Sequence, residues 1–402
     1  MKNLIRMHFS LFYLLLIFAA PTGSAWALTA SNTQIINNAS LSYNDGTGTK
    51  TVNAVPVVVT VTLIPGTPTV TKGPDETTPY TGPNTPLTNT FTITASNTNG
   101  PDNYSLTPAI IATTNATGAT VILTSPSSPV RLGATVTLSG CTATSLKVPS
   151  DGVSGPAVNG IANGATIVVG TDVATVNTVT NIGSGIATIT LNGTGLSAAP
   201  GAGVLVGEQK TVTVTVNSGT ITTAGQNIII TKQLTIASTT DPTKTATAGP
   251  ITDTYSSGLA TLTKYVRNVT TPAAGTGTKY TYPVGTDYYP SGITAKPGET
   301  LEYILVATNS GTGSVSAAAV TDTLPTTYVS LKLGQYSGGR DITYFNETGT
   351  PSYLTSAAGD DAATYASPTL TVNVGTGATS TTGGTIASGA TVRVLYQVTV
   401  NP

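Results

Sequence analysis

The feature that most constrains this chain is the period-two run opening the stretch Lys296 to Pro325, KPGETLEYILVATNSGTGSVSAAAVTDTLP. After a Pro-Gly turn, Leu301, Tyr303 and Leu305 share one face while Glu302 and Ile304 take the other, which is the pattern of a half-buried strand. Asn309-Ser310-Gly311-Thr312-Gly313 reads as the next turn, Val315 to Thr321 as a second strand of small and β-branched residues, and Leu324-Pro325 as its stop. No segment sustains a helical period. Short strands separated by Gly, Ser and Pro turns predict an all-β sandwich or barrel and not alternating βαβ units.

The Y-x-x-x-x-x-N-x-G run from Tyr303 and the V-T-D-T-L-P run from Val320 together resemble the conserved-repeat Ig-like domain family of prokaryotic surface proteins, catalogued as domain of unknown function eleven. The resemblance implies Ig-like β-sandwiches in tandem and a structural role at the cell surface or in secretion. It implies no chemistry.

A second copy of the pattern precedes this one. T-N-T-F-T-I-T-A-S-N-T-N-G, ending at Gly100, repeats the aromatic, the apolar positions and the Asn/Gly turn of Glu299 to Gly311, and Thr211 to Asn217 repeats Thr369 to Gly375. The expected organisation is a signal segment over 1–27, an N-terminal hairpin arm over 28–65, a first Ig-like sandwich with an insertion over 66–257, and a second sandwich over 258–402 lacking its last strand. The insertion is placed at roughly Leu106 to Gly207, and Pro65-Gly66-Thr67-Pro68 reads as a linker.

Met1 to Ala27 carries Lys2 and Arg6, the apolar run Leu11 to Ala20 and the small-x-small end Ala25-Trp26-Ala27, which predicts a cleaved export signal. Its apolar run is too short for the roughly 20 residues a spanning helix needs. No later run is long and apolar enough either, so an extracellular or cell-surface protein without a membrane span is expected. His8, Trp26, Met1 and Met7 are all the His, Trp and Met of the chain, so the mature protein has none.

Charged residues make up 8% of the chain, against about 25% in an ordinary domain. Nothing in that balance points to nucleic acid or an anionic surface. Solubility rests on hydroxyls and amides, and little like-charge repulsion opposes association of one copy with another. The single cysteine, Cys141, permits no internal disulfide and reads as a small half-buried residue near a strand end.

Without an imidazole, Ser-His-Asp and Cys-His catalysis and His- or Cys-based metal or haem sites are excluded. No catalytic residue, cofactor or metal is expected. Asp360 and Asp361, with Asp322, are weak calcium candidates lacking the D-x-D-x-D-G spacing. A two-carboxylate glycosidase fits the inventory but not the absence of Trp. Asn38, Asn103, Asn115, Asn192, Asn268 and Asn346 begin N-x-Ser/Thr triplets compatible with surface glycosylation. Tyr280, Tyr282, Tyr288 and Tyr289 read as sandwich rim and core, or as an aromatic binding surface. Lys72 and Lys264, each near the start of a unit, are read as equivalent edge-strand lysines or as partners in an internal isopeptide bond.

The leading functional expectation is a non-enzymatic structural protein whose copies join head to tail. In tandem members of the resembled family, a strand like T-V-R-V-L-Y-Q-V-T-V is followed by one of the form I-x-N-x-A-x-V-x-Y. The latter type lies instead near the mature N-terminus, in Ile36 to Tyr43. Ile36, Ala39, Leu41, Tyr43, Val57, Val59, Val61 and Leu63 are expected to donate to a strand-deficient sandwich of the next copy, the competing expectation being that the hairpin folds back on its own chain. The alternative is a monomeric surface adhesin or carbohydrate-binding module, with other surface proteins or glycans as partners.

Overall fold

The computed structural model describes residues 29–402; the signal segment lies outside the described residues. All regular structure in them is β, arranged as Ig-like sandwiches. The first sandwich faces two sheets across a core of Phe91, Ile93, Tyr104, Leu132, Val212, Val214, Leu234, Ile236 and Ile251. One sheet pairs Thr69–Lys72 with Pro86–Thr94 and that strand with Leu205–Asn217. The other runs Val130–Leu132, Asp102–Thr114, Ile228–Ser238, Thr245–Ser256, Glu76–Pro79. The chain thus begins in one sheet and crosses to the other, where Glu76–Pro79 pairs parallel with Thr245–Ser256.

The insertion is smaller than its composition implies. Asp102–Thr114, Thr120–Ser125, Val130–Leu132 and Ala134–Val136 are sandwich strands: the first pairs with Ile228–Ser238, the second and fourth with Leu205–Asn217, and Val130–Leu132 with Asp102–Thr114. A separate apolar core, from Leu146 and Val148 to Leu191 and Leu196, belongs to the strands between Ser145 and Leu191. Leu205–Asn217 joins the two cores, meeting Thr166–Val169 with its first half and Pro86–Thr94 with its second.

The second sandwich stacks a sheet of order Ala260–Asn268, Thr300–Asn309, Thr391–Val400, Ile342–Phe345, Pro351–Leu354 on one built around Val315–Thr323 and Thr369–Asn373. Its core holds Leu305, Val320, Ile342, Leu370, Val372, Val394, Tyr396 and Val398; burying each such side chain contributes about 1.5–3 kcal/mol. The Pro65 to Pro68 stretch is no free linker. Gly66 and Pro68 are buried, and a Cβ at Gly66 would stand 2.1 Å from the Ser96 carbonyl oxygen.

Candidate assembly surface

The arm is one long hairpin in two steps. Gln34–Asn37 pairs with Val57–Thr60 and Ser40–Asn44 with Thr49–Asn53, and every residue of these strands is exposed. Only its base touches the first sandwich. There the turn Asn97 to Gly100 grips it: Asn99 Oδ1 accepts from Ile64 N at 2.7 Å, and Asn99 Nδ2 donates to the carbonyls of Thr29 and Thr62. Ser31 N adds a bond to Asn99 O.

The arm has the register of another hairpin in the same chain. Ala54 N donates to Ala39 O, and the next pair is Asn37 with Val57, so Asn38 alone faces Val55 and Pro56. In the inner hairpin of the first sandwich, Leu234 pairs with Ala248 and Lys232 with Ile251, so Gln233 alone faces Gly249 and Pro250. The bulge is the same, and Pro56 matches Pro250. T-K-T-V-N-A-V-P from Thr49 to Pro56 also aligns without gaps with T-K-T-A-T-A-G-P from Thr243 to Pro250. This was the signal available to sequence reasoning, hidden by a turn of different length.

In the inner hairpin the row Ile228, Ile230, Lys232, Leu234, Ile236 is buried. Its counterparts in the arm are Thr33, Ile35, Asn37, Ala39 and Leu41, with Val57, Val59 and Val61 matching the buried Ile251, Asp253 and Tyr255. Of the expected donor residues, Ala39, Leu41, Tyr43, Val57 and Val59 therefore share one face, together with Ile35 and Val52. Ile36 does not: it pairs with Val58 on the opposite, otherwise polar face. Val61 and Leu63 lie at the base, where Val61 bonds with Thr33 and Asn32 and Leu63 adjoins Gly100.

The second sandwich has, among the described residues, no counterpart of the inner hairpin. In the first, that hairpin fills the space between Asp102–Thr114 and the opening strand; in the second, the corresponding space between Val315–Thr323 and Ala260–Asn268 is an apolar groove of about 320 Å³. Ala260, Leu262, Ala307, Val315, Val320 and Ile386 line it. Ala260–Asn268 is an edge strand. Ser310 N donates to Leu259 O and Val269 N to Thr300 O, so odd-numbered residues bond inward and Ala260, Leu262 and Lys264 turn their backbone groups outward. Val266 shows what that edge does when met, exchanging both bonds with Tyr289. Lys264 Nζ reaches Asp322 at 2.6 Å and closes one end of the groove.

The other sequence candidates are placed elsewhere. Lys72 pairs with Phe91 and Lys264 with Leu305, so the two lysines differ by two residues of register relative to Phe91 and Tyr303. Lys72 Nζ donates to Pro250 O at 2.8 Å, whereas Lys264 lies 4.3 Å above the Tyr303 ring. Asp361 accepts from the Thr355 and Ala363 amides and Asp360 from the Thr355 hydroxyl, which uses them as loop braces. Cys141 is half-buried and accepts from Lys147 N. Asn268 is buried and bonded to Thr294 O and Glu299, which removes it as a glycan acceptor.

The tyrosines build a layer on the outer face of the second sandwich. Tyr288 is fully buried and donates to Glu302 Oε2 at 2.7 Å, Tyr280 stacks on Tyr265, and Tyr282 meets Phe345 edge-on. Glu302 also accepts from Tyr336, Gln397 and Arg267. Burial alone would push its carboxyl up, but the bonds from Gln397 and Tyr288 and the Arg267 charge outweigh it and hold the group below its ordinary 4.5.

No protein-family model matches the chain, and no curated protein does. Among solved structures, the C-terminal domain of the Streptococcus agalactiae AgI/II polypeptide BspA matches at 10% identity over 83% of this chain and 92% of its own, with a TM-score of 0.30. The C-terminal domain of the Streptococcus pyogenes antigen I/II-family protein AspA matches at 11% identity over 84% and 92%, with a TM-score of 0.28. A 35 kDa C-terminal fragment of the major pilin GBS80 of Streptococcus agalactiae matches at 11% identity over 62% and 88%, with a TM-score of 0.16.

Proposed function

We propose that this is an exported, non-enzymatic structural protein of the cell surface or of an extracellular filament, whose copies join head to tail. The arm of one copy seats its apolar face in the groove of the second sandwich of the next. The observation that carries this reading is the shared register: the arm repeats, bulge included, a hairpin that completes the first sandwich, and the second sandwich has a groove where such a hairpin belongs. Strand addition would satisfy the open backbone groups of Ala260, Leu262 and Lys264 and cover the groove at once. The contact joins two different surfaces, so it propagates unless its rotation closes a ring.

The test removes residues 28–63 and supplies them as a free peptide. Light scattering and negative-stain microscopy should show polymers of the mature chain, monomers of the truncated one, and a saturable complex of the truncated chain with the peptide. Polymers of the truncated chain, or indifference to the peptide, would rule out donation. A mature chain that stays monomeric at all concentrations would favour the adhesin reading.

A further inference from the structure

Three polar side chains cross the core of the first sandwich in a single layer. Asn89 stands on the inward row between Leu87 and Phe91, Lys232 between Ile230 and Leu234, and Asp253 between Ile251 and Tyr255, so the layer divides one apolar cluster from the next. Lys232 and Asp253 are fully buried and Asn89 is 3% exposed. Lys232 Nζ meets Asp253 Oδ2. Asn89 stands beside Asp253 from the opposite sheet, yet neither of its carboxamide atoms, nor Asp253 Oδ1, has a hydrogen bond of normal geometry.

Orphaned polar atoms in a dry core cost about 1–3 kcal/mol each, and a lysine there has few ways to become neutral. We propose that Lys232 and Asn89 are joined by an isopeptide bond that the domain forms itself, with Asp253 moving the protons. Burial pushes the Lys232 amine down and the Asp253 carboxyl up, which favours the neutral amine and the neutral acid. The amine lone pair attacks Asn89 Cγ, forming Cγ–Nζ, while Asp253 takes a proton from Nζ and delivers one to Nδ2. Cγ–Nδ2 then breaks and ammonia leaves. Asp253 ends as it began, and no oxidant or cofactor is consumed. The amide ties Pro86–Thr94 in one sheet to Ile228–Ser238 in the other, a staple the sandwich otherwise lacks with Cys141 as its one cysteine.

Intact-mass measurement of the denatured full chain should fall short of its sequence by one ammonia. A digest should yield a branched peptide joining Lys232 to Asn89. Asp253→Asn, which keeps the side-chain shape, should restore the full sequence mass while circular dichroism still reports a β fold. The wild-type mass and peptide map decide even where the variant fails to fold. A full wild-type mass, a loss of water in place of ammonia, which would put the bond on Asp253, or a branch at other residues would overturn the proposal.

Discussion

Asn99 donates from Nδ2 to the Thr62 carbonyl at 3.0 Å, and so fastens the arm to the first sandwich from a turn that the second sandwich repeats. There Asn309 Oδ1 accepts from Leu259 N at 3.0 Å, and its Nδ2 donates to the carbonyls of Gly313 and Ile386. Each asparagine grips the chain entering its unit.

Asn309→Ala should therefore destabilise the second sandwich by about 2–4 kcal/mol, because it strands several buried backbone groups at once. Asn99→Ala should leave the sandwich folded and loosen the arm. Thermal unfolding measures the first effect; hydrogen exchange at Ile64, whose amide bonds to Asn99 Oδ1, measures the second. Slow exchange at Ile64 in Asn99→Ala would contradict the role given to that side chain.

Much of this was legible in the sequence. Alternation found the strands: the period-two run of Leu301 to Leu305 lies in Thr300–Asn309, and the expected strand from Val315 to Thr321 lies in Val315–Thr323. What alternation could not show was pairing. Aligning Phe91 with Tyr303 puts Asn97 opposite Asn309, but Asn97 takes a positive φ of 53° in the turn and Asn99 makes the grip. Likewise the part of Asp102–Thr114 from Leu106 onward reads as insertion, and only its pairing with Ile228–Ser238 reveals its membership of the sheet. The Lys232 layer was invisible for a related reason: Asn89 is far in sequence from Lys232 and Asp253, which share one hairpin, and meets them only across the two sheets.

Acid should weaken the second sandwich through Glu302. A carboxyl held below 4.5 in the native state binds fewer protons there than in the unfolded chain, so its contribution is full above about 4.5 and is lost as pH falls through the lower native value. Melting temperature should drop over that acidic range. Glu302→Gln should flatten the drop, at the cost of lower stability near neutrality, where Arg267 loses its partner. An unchanged acid profile in Glu302→Gln would assign the sensitivity to other carboxylates.

The register of the arm makes a prediction sharper than deletion. Ile35 and Ile36 are 53% and 55% exposed, so neither exposure nor hydropathy distinguishes them. Pairing does: Ile35 lies opposite Val59 on the face that matches the buried row of the inner hairpin, and Ile36 lies opposite Val58 on the other. If the arm docks as the inner hairpin does, Ile35→Lys places a charge in the groove and should weaken assembly by about 30-fold or more, equivalent to roughly 2 kcal/mol. Ile36→Lys should change it by less than about threefold, since surface substitutions are usually within 0.5 kcal/mol. Binding of the two variant 28–63 peptides to the truncated chain, followed by fluorescence anisotropy, makes the comparison without requiring polymers. Equal effects of the two substitutions would mean that the arm docks in another register, and a larger effect at Ile36 would mean that its opposite face is the one that binds.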